Sequence, residues 1–351
     1  MKVLFVSSGN KAVGKCSSFV QSQYDSLVAE GLDMQLYPVV GHGAKSFFKH
    51  LRALRRTIKT WRPDVVHAHY STFGILVSLS MMGMCHKPKI VVSILGSFPT
   101  HSVKWRYVRF FVKYVWDKTI TKSKRTADQL GFDLPVIPNG VNTDIFHPMD
   151  QEEAREKLNL ATIASNLSPV GTLCRPLTTN QSPIIIWCSN PEREEKNWPL
   201  AQRAVEILQS QITNHKLQIT LLPVFNKTPQ EVATYMNAAD VMLLTSMSEG
   251  SPNVVKEALA CNCPIVTTDV GDVHERLDGV EGCYVIPTDN TPTYGRQGVG
   301  EWFEKDAEQL AECLEKAISF NKRTKGIDKL QSDKLEVAQI ADKIIEVYKQ
   351  I

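Results

Sequence analysis

Residues 249–268 read Glu-Gly-Ser-Pro-Asn-Val-Val-Lys-Glu-Ala-Leu-Ala-Cys-Asn-Cys-Pro-Ile-Val-Thr-Thr. A polar loop comes first, a helical stretch follows, and the segment ends in an apolar run typical of a buried parallel strand. Pro252 suits the first helical position, where no N–H is needed, and Ser251 suits the cap before it. The segment therefore predicts a loop, a helix over 252–260 and a strand, which is a building unit of α/β proteins.

The start of this predicted helix is suited to an anion. The N–H groups of residues 251–254 point out of the helix and, with the helix dipole, favour a group such as a diphosphate. Glu249 lies in the loop and Glu257 one turn into the helix, and a carboxylate accepts hydrogen bonds from hydroxyl groups. The pair predicts a ligand with a charged middle and polyhydroxylated ends; the alternative is two solvated glutamates.

Strands and helices alternate along the whole chain. In the first half the pattern predicts strands at 2–6, 34–40, 64–68, 90–95, 118–121 and 135–138, with helices at 16–30, 44–61, 72–84 and 102–116. In the second half it predicts strands at 184–187, 217–222, 241–244, 264–267 and 283–286, with helices at 198–212, 229–236 and 252–260. Such alternation predicts two parallel sheets with helices on both faces and ligands at the carboxyl ends of the strands.

The order of these motifs resembles family 4 of the retaining glycosyltransferases, in the GT-B superfamily. That family carries a Glu, seven residues and a second Glu, then a Gly-Pro-Val-Val-like strand and a Gly-Gly-x-x-Glu loop, which residues 249–275 match in order. Five further segments match: the opening strand 2–6 with its glycine loop, 63–69, 138–148, a basic loop ending in Lys196, and 238–246. The resemblance implies an α/β fold of two Rossmann-like, doubly wound domains that face a central cleft.

The chain of 351 residues is long enough for two domains. We place an acceptor-side domain at 1–150 and a domain that binds the donor nucleotide at 151–334, with a linker within 149–183. In the GT-B fold the last helix returns to the first domain. The apolar spacing of residues 338–348 suits such a helix, so we expect about 335–351 to pack on the first domain.

The resemblance implies transfer of a sugar from a nucleotide donor, with retention at the anomeric carbon and without a metal. The other large glycosyltransferase fold holds its metal with Asp-x-Asp, a tripeptide that this sequence lacks. We assign Lys196 to the diphosphate by position and Arg193 by chemistry. Asn190 stands where the family often has Arg, and Asn197 replaces a Gly. A solvated charge cluster is the alternative for this loop.

The implied site is catalytic at Glu249, Lys196, Arg193 and His101. Glu249 would hold the sugar hydroxyls and Glu257 the ribose. His101 is the imidazole nearest to the position after strand 90–95, where the family often has a His and this chain has Leu-Gly-Ser. The predicted donor-binding residues are Gly14, Ser251, Pro252, Asn253, Val254 and Glu257.

The loop from Gly9 to Cys16 allows a second interpretation. It follows a strand, precedes a helix and nearly matches the phosphate-binding pattern GxxxxGK[ST] of nucleoside triphosphatases. Cys16 stands where a hydroxyl should bind magnesium, and a thiol is a poor ligand for that cation. We therefore prefer a glycosyltransferase glycine loop in which Gly14 brings the backbone close to the ligand.

No metal or other cofactor is predicted. The eight cysteines form no CxxC pair and have no zinc-type spacing to histidine, so they are expected to be reduced. His67 and His69 lie on one side of a predicted strand end, where a packed role is favoured over a two-ligand metal site.

Charge is unevenly distributed along the chain. The net charge is +3, but residues 1–150 carry +11 and the remainder −8, which predicts an anionic partner for the first half. Residues 47–59 and 103–116 interleave aromatic and basic side chains at helical spacing, as in helices at an anionic membrane interface. Ordinary core helices are the alternative, and nucleic-acid motifs are absent. With no signal peptide or membrane span, we expect a cytoplasmic protein, with peripheral attachment to the inner face of the membrane left open.

The resemblance thus implies a hexosyl- or N-acetylhexosaminyltransferase that acts on a glycan or lipid-linked acceptor in surface polysaccharide synthesis. Two alternatives stay open: a sugar-nucleotide epimerase of the same fold, and a non-catalytic sugar-nucleotide-binding protein.

Overall fold

A computed structural model describes residues 1–9, 16–41, 43–95, 103–159, 182–211, 218–287 and 301–351. Gly14 and His101 lie outside the described residues, as does most of the predicted linker. The chain forms two compact units, residues 1–142 with 334–351 and residues 143–333. Each unit contains one five-stranded sheet.

The first unit is built on a parallel sheet with the strand order β2-β1-β3-β4-β5. Its strands are β1 (Lys2–Ser8), β2 (Asp33–Val39), β3 (Val65–His69), β4 (Lys89–Ile94) and β5 (Lys118–Thr121). Its helices are α1 (Ser18–Ala29), α2 (Gly43–Trp61), α3 (Ser71–Ser80), α4 (Val103–Tyr114), α5 (Lys124–Leu130) and, late in the chain, α13 (Val337–Lys349). The fully buried β3 requires helices on both faces of the sheet.

Apolar side chains of α2, α3 and α4 pack on one face of this sheet in a single core that includes Leu54, Leu76 and Val108. Helix α13 packs against α1. From α13 the buried Tyr348 hydroxyl reaches Nδ1 of His67 in β3 (2.5 Å), and His67 Nε2 contacts the Ser93 hydroxyl (2.8 Å). Residues 334–351 are therefore part of the first unit.

The second unit has a parallel sheet in the order β10-β9-β8-β6-β7. Its strands are β6 (Ile184–Trp187), β7 (Thr220–Pro223), β8 (Val241–Leu244), β9 (Ile265–Thr268) and β10 (Tyr284–Ile286). Its helices are α6 (Gln151–Lys157), α7 (Trp198–Gln211), α8 (Pro229–Ala238), α9 (Asn253–Ala260), α10 (Val273–Leu277), α11 (Glu301–Phe320) and α12 (Gly326–Ser332). The central strands β6, β8 and β9 are buried along their whole length.

Helices α5 and α6 are among the short helices that were not predicted. Helix α5 begins after Ser123, whose hydroxyl accepts the Thr126 N–H (3.3 Å), and it ends at Gly131 in the left-handed conformation. Helix α6 begins after Asp150, whose carboxylate accepts the Glu153 N–H (3.0 Å). Both helices span seven residues, too few for apolar periodicity to reveal them.

The predicted strand at 135–138 is wrong. The structure shows only an isolated bridge between Thr121 and Val136 there. Pro135 and Pro138 have no N–H to donate to a neighbouring strand, so the segment cannot extend the sheet.

Candidate functional site

Three loops meet at one edge of the second sheet. They are residues 188–197 after β6, 245–252 after β8 and 269–272 after β9. Because β6, β8 and β9 are parallel neighbours, their carboxyl ends lie side by side. The loops and helix α9 carry every predicted site residue that the structure describes.

Lys196 and Glu249 form a direct ion pair between Nζ and Oε1. They lie 53 positions apart in sequence, and their side chains are only 16% and 17% exposed. A pair this far from solvent is weakly screened by salt. A phosphate that approaches Lys196 therefore competes with the Glu249 carboxylate for the N–H groups of the ammonium.

The turn that carries Lys196 is held in place by side chains at the carboxyl ends of β8 and β6. It is a 3₁₀ turn, Glu194–Lys196, that ends at Asn197 with φ 56° and ψ 53°. Asparagine tolerates this left-handed conformation, which explains how it replaces the family's Gly. The buried Thr245 hydroxyl lies 2.9 Å from the Lys196 carbonyl and 3.0 Å from that of Asn197, and it accepts the Trp187 indole N–H (2.9 Å).

Sequence reasoning did not identify Thr245 or Trp187 as supports of this turn. The signal available was a polar residue directly after the apolar strand β8.

Arg193 belongs to the same loop but points elsewhere. Its guanidinium pairs with Glu195, with Nε at 2.8 Å from the carboxylate, and its side chain is more than half exposed. The structure therefore joins Lys196, but not Arg193, to Glu249. A part for Arg193 in binding stays a prediction.

The predicted cap of α9 is wrong. The helix begins at Asn253, Pro252 occupies the cap position with φ −66° and ψ 120°, and no side chain caps the helix. The Ser251 hydroxyl instead donates to Asp272 Oδ2 (2.9 Å) and accepts from Lys256 Nζ (3.1 Å). The Ser251 hydroxyl therefore binds the charged groups of Asp272 and Lys256 instead of a backbone N–H of the helix. Because proline has no N–H, the first-turn N–H groups begin at Asn253 and continue at Val254.

The same contacts belong to a buried polar network beneath the loop. Asp272 Oδ2 also accepts from Arg276 Nε (3.0 Å), and the Arg276 guanidinium reaches Asp333 Oδ2 (2.6 Å). Lys256 is fully buried; burial lowers its pKa to about 8, and the charge of Asp272 opposes that effect. Sequence reasoning missed this network, since nothing in the order of residues shows that Lys256 faces inward.

Glycine is required where two of the loops touch. Gly271 has φ +62°, and a β-carbon there would lie 2.7 Å from the carbonyl oxygen of Gly250. Loop 269–272 therefore packs directly on the backbone of loop 245–252.

Glu257 is only partly exposed on α9. Burial raises the pKa of its carboxyl to about 7, and the charge of Lys256 acts in the opposite direction. Burial raises the pKa of the Cys188 thiol, and the Glu257 charge raises it further. Because Cys188 follows β6, this electrostatic coupling places Glu257 near the carboxyl end of that strand.

His67 and His69 stack at 4.6 Å inside the first unit. Among the residues that the structure describes, no group of three or more His, Cys, Asp or Glu side chains could hold a metal ion.

Two family models match the chain. "Glycosyltransferase Family 4" matches residues 22–145 and "Glycosyl transferases group 1" matches residues 199–318, together about two thirds of the sequence.

Curated relatives are also glycosyltransferases. TuaC of Bacillus subtilis, whose name assigns it to teichuronic acid biosynthesis, is 26% identical over 64% of this chain and 59% of its own length. The GPI3 subunit of phosphatidylinositol N-acetylglucosaminyltransferase from Saccharomyces cerevisiae is 25% identical over 62% of this chain and 46% of its own length. The matched region thus spans about half the length of these relatives.

Solved structures share the fold. Sucrose-phosphate synthase from Thermosynechococcus elongatus has a TM-score of 0.70 at 15% identity, covering 99% of this chain and 98% of that one. Anabaena Alr3699/HepE in complex with UDP-glucose has a TM-score of 0.68 at 15% identity, covering 100% of both chains. The order of the sheets and these solved structures show the GT-B fold, and the two family models show that the chain belongs to the family 4 glycosyltransferases.

Proposed function

We propose that the protein is a retaining glycosyltransferase that moves a hexosyl or N-acetylhexosaminyl group from a nucleotide sugar to a glycan or lipid-linked acceptor, without a metal. The observation that carries this proposal is the Lys196–Glu249 pair beside the start of α9. It combines a cation for a diphosphate with a carboxylate for sugar hydroxyls at the strand edge where α/β proteins bind ligands. The UDP-glucose complex of HepE supports a nucleotide sugar as donor.

In this proposal the diphosphate lies against Lys196 and the N–H groups of Asn253 and Val254. The bond between the anomeric carbon and the diphosphate oxygen breaks, and negative charge grows on the departing oxygen. Lys196 stabilises that charge, while Glu249 fixes the sugar through its hydroxyls. The acceptor oxygen bonds to the anomeric carbon on the face that the diphosphate leaves, and its proton passes to the diphosphate.

Donor binding tests the function. The protein is titrated with UDP-, GDP- and ADP-sugars in the presence of EDTA, and thermal unfolding is followed. A specific donor at 100 times its Kd should stabilise the fold by about 2.7 kcal/mol. Stabilisation by none of them would refute the proposal.

Product analysis with the bound donor then distinguishes the rival activities. Isomerised donor without transfer would favour an epimerase. Binding without turnover on any glycan or lipid-linked acceptor would favour a non-catalytic binding protein.

The acceptor is proposed to meet the first unit, because residues 1–150 carry a net charge of +11. The names of TuaC and the GPI3 subunit support anionic glycan or lipid chemistry and a place in surface polysaccharide synthesis.

A membrane surface is the proposed partner of α4. The outward face of this helix carries Tyr107, Phe110 and Tyr114, which are 62%, 54% and 65% exposed. The exposed cations Arg106, Arg109 and Lys113 each directly precede one of these aromatic residues. Aromatic rings that project into solvent beside cations suit the headgroup region of an anionic bilayer. None of the described helices has the length and apolar character needed to span a membrane.

We expect the protein to sediment with phosphatidylglycerol vesicles at low salt and to be released by about 0.5 M NaCl, since salt screens the attraction. Changing Tyr107, Phe110 and Tyr114 together to Ser should abolish sedimentation. Phe225→Ser, at an exposed aromatic of the second unit, is the matched control and should sediment like the wild type. Salt-insensitive sedimentation or equal binding to phosphatidylcholine vesicles would contradict the proposal.

Donor affinity should depend on pH through Glu257. Burial raises the carboxyl pKa to about 7, and only the carboxylate accepts hydrogen bonds with both oxygens. Affinity for a nucleotide sugar is therefore expected to rise about tenfold from pH 6 to pH 8 and then to level off. Calorimetric titration of Glu257→Gln should show little dependence on pH over the same range. An equal slope in both proteins would exclude Glu257.

A further inference from the structure

We propose that Lys256 is a positioning residue for donor binding, which holds loop 249–252 in place through Ser251 and Asp272. The inference rests on the proposed function and adds to it a residue that cannot itself touch the donor. Lys256 has no exposed surface. Its effect must therefore pass through the groups that it contacts.

The contacts run from the helix to both loops. Lys256 Nζ donates to the Ser251 hydroxyl (3.1 Å), and that hydroxyl donates to Asp272 Oδ2 (2.9 Å). Ser251 stands between Glu249 and the first N–H groups of α9. A shift of Ser251 would displace the proposed sugar contact and the proposed diphosphate contacts together.

The network also joins separate segments of the second unit. Arg276 of α10 binds Asp272 and, through its other nitrogen, Asp333 directly after α12. Lys329 of α12 pairs with Asp333 (3.1 Å). Arg276 thus holds the same Asp272 oxygen that accepts from Ser251, and Arg276 is itself fixed to Asp333 after α12, so Asp272 offers Ser251 a rigid acceptor.

Stability alone is a poor reason for such a network. Burying Lys and Asp costs desolvation energy, and replacement of buried charges by apolar groups is often neutral or stabilising. The close packing of Gly271 on Gly250 means that small shifts of either loop are transmitted to the other. We infer that the network serves the geometry of the binding loop.

The test uses UDP, GDP and ADP as probes, with calorimetric titration in EDTA and thermal unfolding of the same samples. For the nucleotide that the wild type binds, Lys256→Met is expected to raise the Kd about tenfold, because the charged hydrogen bond from Lys256 to Ser251 is lost. Its melting temperature should stay close to that of the wild type, because Met carries no charge and Asp272 keeps Arg276 as its partner.

Variants of Ser251 separate positioning from general damage. Ser251→Ala removes the same hydrogen bond and should weaken binding as much as Lys256→Met, while Ser251→Thr keeps the hydroxyl and should restore most of the affinity. If both side chains act through one hydrogen bond, the double variant Lys256→Met with Ser251→Ala should bind no more weakly than either single variant. Additive losses would overturn the proposal.

Arg155→Met is the matched control. Arg155 is also buried in the second unit, and it pairs with Asp240 (2.9 Å) before β8, at the opposite strand end. This variant should alter the melting temperature and leave the nucleotide Kd unchanged. An unchanged Kd in Lys256→Met, or a loss that only follows its melting temperature, would refute the inference. If the wild type binds none of the three nucleotides, the proposed function fails and this inference fails with it.

Discussion

Replacing Lys196 with Met is expected to lower turnover by about 10²-fold or more, with a smaller change in KM for the donor. The difference arises because charge on the departing diphosphate grows as the bond to the sugar breaks, so that Lys196 stabilises the transition state more than the bound donor. Release of nucleoside diphosphate at saturating donor measures the effect directly.

The matched control for Lys196 is Lys227→Met. Lys227 lies in the same unit, where it pairs with Glu231 (3.2 Å) on the surface. This variant should turn over like the wild type. Wild-type kinetics in Lys196→Met would remove Lys196 from the mechanism.

Glu249→Gln is expected to reduce kcat/KM about 10- to 100-fold, the value of one charged hydrogen bond of about 1.5–3 kcal/mol. The affinity for the nucleoside diphosphate without sugar should instead increase. In the wild type the Glu249 carboxylate is paired with the Lys196 ammonium group. The neutral amide of the variant would bind that ammonium more weakly and leave it available to phosphate. We therefore expect a lower Kd for the diphosphate and weaker binding of the nucleotide sugar, both measured by calorimetry.

Opposite signs for these two ligands would not follow from general damage to the loop. Glu192→Gln is the control, because Glu192 is exposed in the loop that carries Lys196. Weaker binding of both ligands in Glu249→Gln would contradict an exchange of partners at Lys196.

Much of the fold could be predicted because buried parallel strands appear in the sequence as short apolar runs. The strands at 184–187 and 241–244 were predicted with the bounds that the structure shows. Helices α5 and α6 could not be predicted in this way. Their starts are set by single hydrogen bonds that the side chains of Ser123 and Asp150 accept from backbone N–H groups, and apolar periodicity does not record these bonds.

The candidate site was only partly predictable. The relative position of Glu249 and Glu257 could be predicted because it depends only on local structure: Glu257 lies about one turn into the helix that follows the loop of Glu249. The contact of Lys196 with Glu249 depends on β6 lying beside β8, an order that the sequence does not state. The inward direction of Lys256 and the raised pKa of Glu257 depend on burial by distant segments. The hydrogen bond from Ser251 to Asp272 also depends on a distant segment, and it explains why the predicted helix cap was wrong.

The bond between Tyr348 and His67 also affects how the protein is made. The first unit takes residues from both sides of the second unit, so on the ribosome its strands emerge before residues 143–333 and lack helix α13 until that stretch has been translated. Residues 143–333 are continuous and can assemble meanwhile. The first unit is therefore completed only after the second has been synthesised, and the contact between His67 and Tyr348 forms after residues 143–333 have emerged.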